Sequence, residues 1–159
     1  MPEFFDSSEV IRIAIRIEQN GEEFYRQAAV NIGDVAAKDL FHYLAGEEVK
    51  HARLFQKFLE EVEDYTPPES HAGEYMEYLA AYTKDFVFTQ EKKGVLAAGS
   101  VKGVKEALEF ALKVEVDSIL YYIEAKNFVP EHKRLVLDKI IEEERRHYLK
   151  LWELKEKSK

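Results

Sequence analysis

"IIEEERRHYLKLW" occupies residues 140–152. By charge alone it is a solvated piece of helix, with three glutamates, two arginines and a histidine in a row of six. By helical register it divides in two. Leu137, Ile140, Leu151 and Leu154 recur at steps that keep side chains on one face, and Glu144 and His147 fall on that same face. Glu142, Glu143, Arg145 and Arg146 fall off it and are expected to face water. A carboxylate on a buried stripe is costly unless it is neutralised or paired. Two such residues on an inward face therefore demand a physical reason.

The same pattern recurs earlier in the chain. "GEEVKHARLF" (46–55) aligns with "EEERRHYLKL" (142–151), pairing Glu48 with Glu144 and His51 with His147. Its stripe reads Phe41, Leu44, Glu48, His51, Phe55, Phe58, Val62. Two further stripes carry one glutamate each. One is Ile11, Ala14, Glu18, Gly21, Tyr25, Ala28, Ile32. The other is Val104, Leu108, Ala111, Glu115, Ser118, Tyr122, Ala125, Val129. Here too the segments align, "AIRIEQNGEEFYRQA" (14–28) with "ALKVEVDSILYYIEA" (111–125), so the chain is an internal repeat of two helix pairs. Each stripe is apolar except near its middle. Four glutamates meeting in a core repel one another, and two divalent cations would resolve that conflict.

Punctuation places the helices at about 7–30, 35–64, 101–127 and 130–157. Ser7 or Ser8 is the expected N-cap of the first. Residues 31–34 form a turn, and "TPPE" (66–69) stops the second helix. Pro130 disfavours helix at Val129 and suits the first turn of the last helix. Residues 65–100 are too long for a loop between neighbouring helices, and "GEYMEYLAAYTKD" (73–85) is expected to be a short helix within them. Two helical hairpins joined by one long crossover is the ferritin-like order of a four-helix bundle. The expectation is all-α, with residues 1–159 as a single ferritin-like domain.

Composition narrows the function. The chain has no cysteine, which excludes disulfides, thiolate zinc sites and iron–sulfur clusters. The net charge of −8 argues against nucleic acid, where affinity rests on neutralising phosphates. No run approaches the ~20 apolar residues of a membrane span. "MPEFFDSSEV" lacks the basic start and apolar run of a signal peptide, so a soluble, cytoplasmic protein is expected. Carboxylate-rich ligation with one histidine per ion suits iron or manganese better than zinc or copper.

Together Glu18, "EEVKH" (47–51), Glu115 and "EERRH" (143–147) resemble the rubrerythrin-like branch of the ferritin-like di-iron proteins, over nearly the whole chain. The resemblance implies six metal ligands, Glu18, Glu48, His51, Glu115, Glu144 and His147. It gives Glu18 and His51 to one iron, Glu115 and His147 to the other, and makes Glu48 and Glu144 bridges. It implies an oxidoreductase of peroxidase or ferroxidase type, acting on peroxide, dioxygen or Fe(II) with an external electron donor. Iron storage or delivery without turnover, and a di-manganese catalase, are the alternatives. Two departures stand out. The chain lacks the cysteine-ligated electron-delivery domain of typical rubrerythrins, and Ser118 stands where they carry an extra glutamate. That substitution weighs against efficient peroxidase turnover.

Several residues outside the ligand set have readings of their own. Tyr25 and Tyr122 lie seven residues past the lone glutamates, about 10 Å along their helices. They can send hydroxyls to ligand carboxylates across the bundle or serve as core tyrosines. His42, His71 and His132 read as surface residues, and Glu47 as solvated charge. Val10, Ile13, Ile17 and Phe24, with Phe110, Val114 and Tyr121, form a second apolar stripe. It could pack within the chain or on another subunit, and a homodimer is expected.

Overall fold

The computed structural model describes residues 6–62, 65, 73–85 and 93–158. Six α-helices are present among them: α1 (Ser7–Asn31), α2 (Val35–Val62), α3 (Gly73–Asp85), α4 (Lys93–Ser100), α5 (Gly103–Ala125) and α6 (Glu131–Lys157). The chain is an all-α, ferritin-like helical bundle. α1 packs on α2 and α5 on α6, giving the two expected hairpins.

The helix starts follow local hydrogen bonding. Asp6, not Ser7 or Ser8, caps α1, its carboxylate accepting the Glu9 N–H at 2.7 Å. The Ser7 hydroxyl is committed elsewhere, donating to the Phe128 carbonyl across the fold. Asp34 holds the start of α2 by accepting the Ala37 N–H at 2.9 Å. α2 was expected to reach about residue 64, but residues 63 and 64 lie outside the described set. Pro130 caps α6 from an extended conformation, after a 3-10 turn at Lys126–Phe128.

The crossover holds more helix than expected. α3 spans the anticipated segment, and α4 adds a second, shorter helix before α5. Gly103, the first residue of α5, stands at φ +83°, a conformation glycine adopts without steric cost. α4 lies on α1. Asn20 accepts the Gly94 N–H at 3.1 Å. A Cβ on Gly94 would sit 2.0 Å from the Asn20 carbonyl oxygen, so this close approach needs glycine.

That packing decides the fate of the second apolar stripe. Val10, Ile13, Ile17, Phe24, Val114 and Tyr121 are all buried within the chain. Ala97 and Ala98 of α4 cluster with Phe24, and Leu79 of α3 with Val10 and Tyr121. The crossover covers the face that suggested a second subunit.

The core has two apolar clusters. Phe24, Phe41, Leu44, Leu108 and Leu151 belong to one, and Ile11, Phe55, Phe58, Leu137 and Ile140 to the other. Along each long helix, the inward glutamates and histidines fall between residues of the two clusters.

Candidate metal centre

All six inward polar residues are buried: Glu18, Glu48, His51, Glu115, Glu144 and His147. Each is positioned by its own apolar stripe, since burying Ile11, Phe55, Leu108 or Ile140 turns the intervening glutamates and histidines to the same interior. Two groups of potential ligand atoms result. Glu18, Glu48, His51 and Glu144 form one, and Glu48, Glu115, Glu144 and His147 the other. Within each, the atoms lie within 4.8 Å of one another. Glu48 and Glu144 are common to both.

The imidazoles face inward through Nδ1. His51 Nδ1 lies 2.9 Å from Glu144 Oε1 and 3.5 Å from Glu18 Oε2. His147 Nδ1 lies 3.1 Å from Glu144 Oε2 and 4.0 Å from Glu115 Oε2. The two rings stack with centroids 5.8 Å apart.

The carboxylates are fixed from behind. Tyr25 on α1 donates to Glu115 on α5 at 2.7 Å, and Tyr122 on α5 donates to Glu18 on α1. Both phenols are fully buried and held above their usual pKa, by burial first and by the carboxylates second. Gly21 gives Glu48 its room: a Cβ there would meet Glu48 Oε2 at 3.0 Å. Ser118, the counterpart of Gly21, turns its hydroxyl back to the Val114 carbonyl at 2.9 Å and adds no carboxylate.

The electrostatics show a site short of positive charge. Burial pushes Glu48 and Glu115 well above the usual carboxylate range, and neighbouring glutamates push the same way. Glu144 moves oppositely. Burial would raise it, but hydrogen bonds with Glu115, His147 and His51 hold it well below that range. His51 is pushed up to about 12; burial opposes its charge, and Glu18 and Glu144 outweigh the burial. Glu18 Oε2, His51 Nδ1 and Glu144 Oε1 are buried without a well-formed hydrogen bond. Buried atoms left in that state, within oxygen-rich groups that carry one imidazole nitrogen each, fit divalent cations.

Residues 9–155 match the rubrerythrin family model. The chain belongs to the rubrerythrin family. A crystal structure from Thermotoga maritima, assigned to the ferritin-like diiron-carboxylate proteins, is similar at 30% identity with a TM-score of 0.71. The match covers 98% of this chain and 97% of that one. No curated protein matches. Family, fold and ligand groups agree on a di-metal carboxylate–histidine site suited to rubrerythrin-like redox chemistry.

The residues outside the set divide. His42 and His132 are exposed, as expected, and His71 lies outside the described residues. Glu142 is exposed and pairs with Arg146. Glu143 and Glu47 are different. Glu143 Oε2 lies 2.6 Å from His51 Nε2, and Glu47 Oε2 lies 4.0 Å from His147 Nε2. The expectation that both are merely solvated is corrected. Their signal was in the sequence, since each stands immediately before the motif glutamate in both repeats.

Proposed function

We propose that this rubrerythrin-family chain binds two iron ions through Glu18, Glu48, His51, Glu115, Glu144 and His147, and works as an oxidoreductase on Fe(II), peroxide or dioxygen. The sharing of Glu48 and Glu144 between both ligand groups carries this reading. Glu18 and His51 would complete one cation position and Glu115 and His147 the other, with Glu48 and Glu144 common to both groups. Bound iron would supply the electrons, passing between ferrous and ferric states while peroxide or dioxygen is reduced.

The chain's own part is to bind, orient and manage protons. Tyr25 and Tyr122 fix the two non-bridging glutamates. Burial raises Glu48 and Glu115 above the usual carboxylate range, so cations would compete with protons for their oxygens. Aliphatic and aromatic residues on both sides keep bulk water from the centre. With no cysteine among these residues, they hold no thiolate iron site to feed electrons to the centre, and an external electron donor belongs to the proposal. Ser118, offering a hydroxyl already bonded to Val114, favours a ferroxidase or simple oxidase over a fast peroxidase.

A cytoplasmic setting belongs to the same proposal; no helix among the described residues is long and apolar enough to cross a membrane. So does a homodimer, on a face other than the stripe covered by the crossover. Chain mass by light scattering tests it, with twice 18.6 kDa expected.

The direct test of turnover is stopped-flow absorbance of the ferrous protein mixed with peroxide or air. A rapid ferric band that recurs on each addition of reductant supports an enzyme. One stoichiometric oxidation with iron retained and no second cycle supports storage. Oxygen release from peroxide by a manganese-loaded chain would favour the catalase alternative.

A further inference from the structure

The two ring nitrogens of His51 face different partners. Nδ1 points to Glu144 and Glu18 in the interior, while Nε2 meets Glu143 Oε2 at 2.6 Å. Glu143 is on α6 and His51 on α2, so the contact ties the two motif helices together. The reverse contact exists in looser form. His147 on α6 turns Nε2 toward Glu47 on α2 at 4.0 Å, beyond hydrogen-bonding distance. Glu47 is also engaged by Lys50 Nζ at 2.6 Å, and Tyr43 packs edge-on against the His147 ring. Each motif therefore reads Glu-Glu-x-x-His, with its second glutamate turned to the centre and its first to the other helix's histidine.

Which imidazole nitrogen is free to bind a cation depends on the hydrogen bond made by the other. A carboxylate at Nε2 keeps the proton there and leaves the Nδ1 lone pair for the interior. It also fixes the ring's rotation and raises its basicity as a ligand. Glu142, one residue earlier, has no such contact and pairs only with Arg146 among the interactions described. Proximity in sequence to the ligands is thus not what selects Glu143.

We propose that Glu143 is a positioning residue for the metal site, holding His51 in the Nε2–H form from across the bundle, and that Glu47 does the same for His147 more weakly. This rests on the reading of His51 and His147 as metal ligands. Glu143 touches no reacting atom and acts through His51.

The test uses the full chain with 15N-labelled histidine, loaded with zinc as a diamagnetic probe, and cobalt titration against a competing chelator. In the wild type, both histidines are expected to show a protonated Nε2, with the His51 proton shifted downfield and slow to exchange. Glu143→Ala should move that proton upfield, speed its exchange and weaken one of two cobalt sites about 10- to 100-fold. Glu143→Gln keeps an acceptor oxygen and should recover most of the affinity. Glu47→Ala should have a smaller effect, on His147, and Glu142→Ala none. Wild-type affinity together with an unchanged His51 signal in Glu143→Ala would overturn the role of Glu143 alone. Should that variant not fold, wild-type affinity with an unchanged His51 proton in Glu143→Ser, whose side chain is too short to reach His51 Nε2, would overturn it equally. A wild type that takes up neither metal overturns the metal-site reading, and this role with it.

Discussion

Tyr25 reaches across the bundle from α1 and hydrogen-bonds Glu115 of α5 at 2.7 Å. Tyr122 returns the contact from α5 to Glu18 of α1. The pair follows from the internal repeat: equivalent tyrosines, seven residues past equivalent glutamates on antiparallel helices, each find the other helix's carboxylate. The arrangement buries two phenols with their hydroxyls satisfied and fixes the two glutamates at the flanks of the site.

Replacing Tyr25 with Phe removes one donor and leaves Glu115 a buried acceptor without it. A loss of about 1–3 kcal/mol in metal-free stability is expected, read by chemical denaturation. Metal affinity should fall by roughly tenfold, since a ligand carboxylate loses its outer partner. Tyr122→Phe should do the same to the position that includes Glu18. Unchanged affinity in both variants would reduce these tyrosines to core residues.

Gly21 is expected to be intolerant of a methyl group for a local reason. Its Cβ would press on Glu48 Oε2 at 3.0 Å, and Glu48 belongs to both ligand groups. Gly21→Ala should retain helicity yet weaken both metal positions, by on the order of tenfold. Gly46, where a Cβ meets nothing within 4 Å, is the internal control. Gly46→Ala should add about 0.5–1 kcal/mol to stability with metal binding intact. Circular dichroism and chelator competition on both variants separate these outcomes.

Stability should depend on pH in opposite ways with and without metal. Glu48 and Glu115 are raised by burial. Their contribution is full below the ordinary glutamate value and is lost as pH rises through their folded values. His51, at about 12 folded, contributes fully below about 6.5 and loses ground above it. Glu144 is lowered, so its contribution is present above the ordinary value and is lost only in acid. Between pH 5 and pH 8 the metal-free protein should therefore lose stability as pH rises. Metal-loaded protein should gain relative to it, because cation binding takes the place of protons. Thermal melts of both forms at pH 5, 6.5 and 8 check the crossing trends.

Much of this architecture was readable because burial has the helix period. Ile140, Glu144, His147 and Leu151 share a face whatever surrounds them, and four such faces imply one interior. Other features depend on contacts that periodicity does not encode. α4 is eight residues long with two glycines and two alanines, and it forms against α1 through Gly94 and Asn20 rather than from an amphipathic pattern. The stripe headed by Val10 and Ile13 looked available because the helices that cover it lie far off in sequence. Glu143 sits off its helix's stripe, as polar surface residues do, and only the distance between α6 and α2 reveals that it reaches His51. The α1 cap went to Asp6 because Ser7 is drawn to the Phe128 carbonyl, a partner 121 residues away.

The central claim is that four buried glutamates and two histidines hold a pair of ions. Elemental analysis of anaerobically reconstituted protein, wild type beside Glu144→Ala and His147→Ala, tests it most directly. About two iron or manganese ions per chain are expected in the wild type. Glu144→Ala should lose most of both, because Glu144 belongs to both ligand groups, and His147→Ala should lose mainly one. Metal near zero in a folded wild type after reconstitution, or full metal content in Glu144→Ala, would contradict the account.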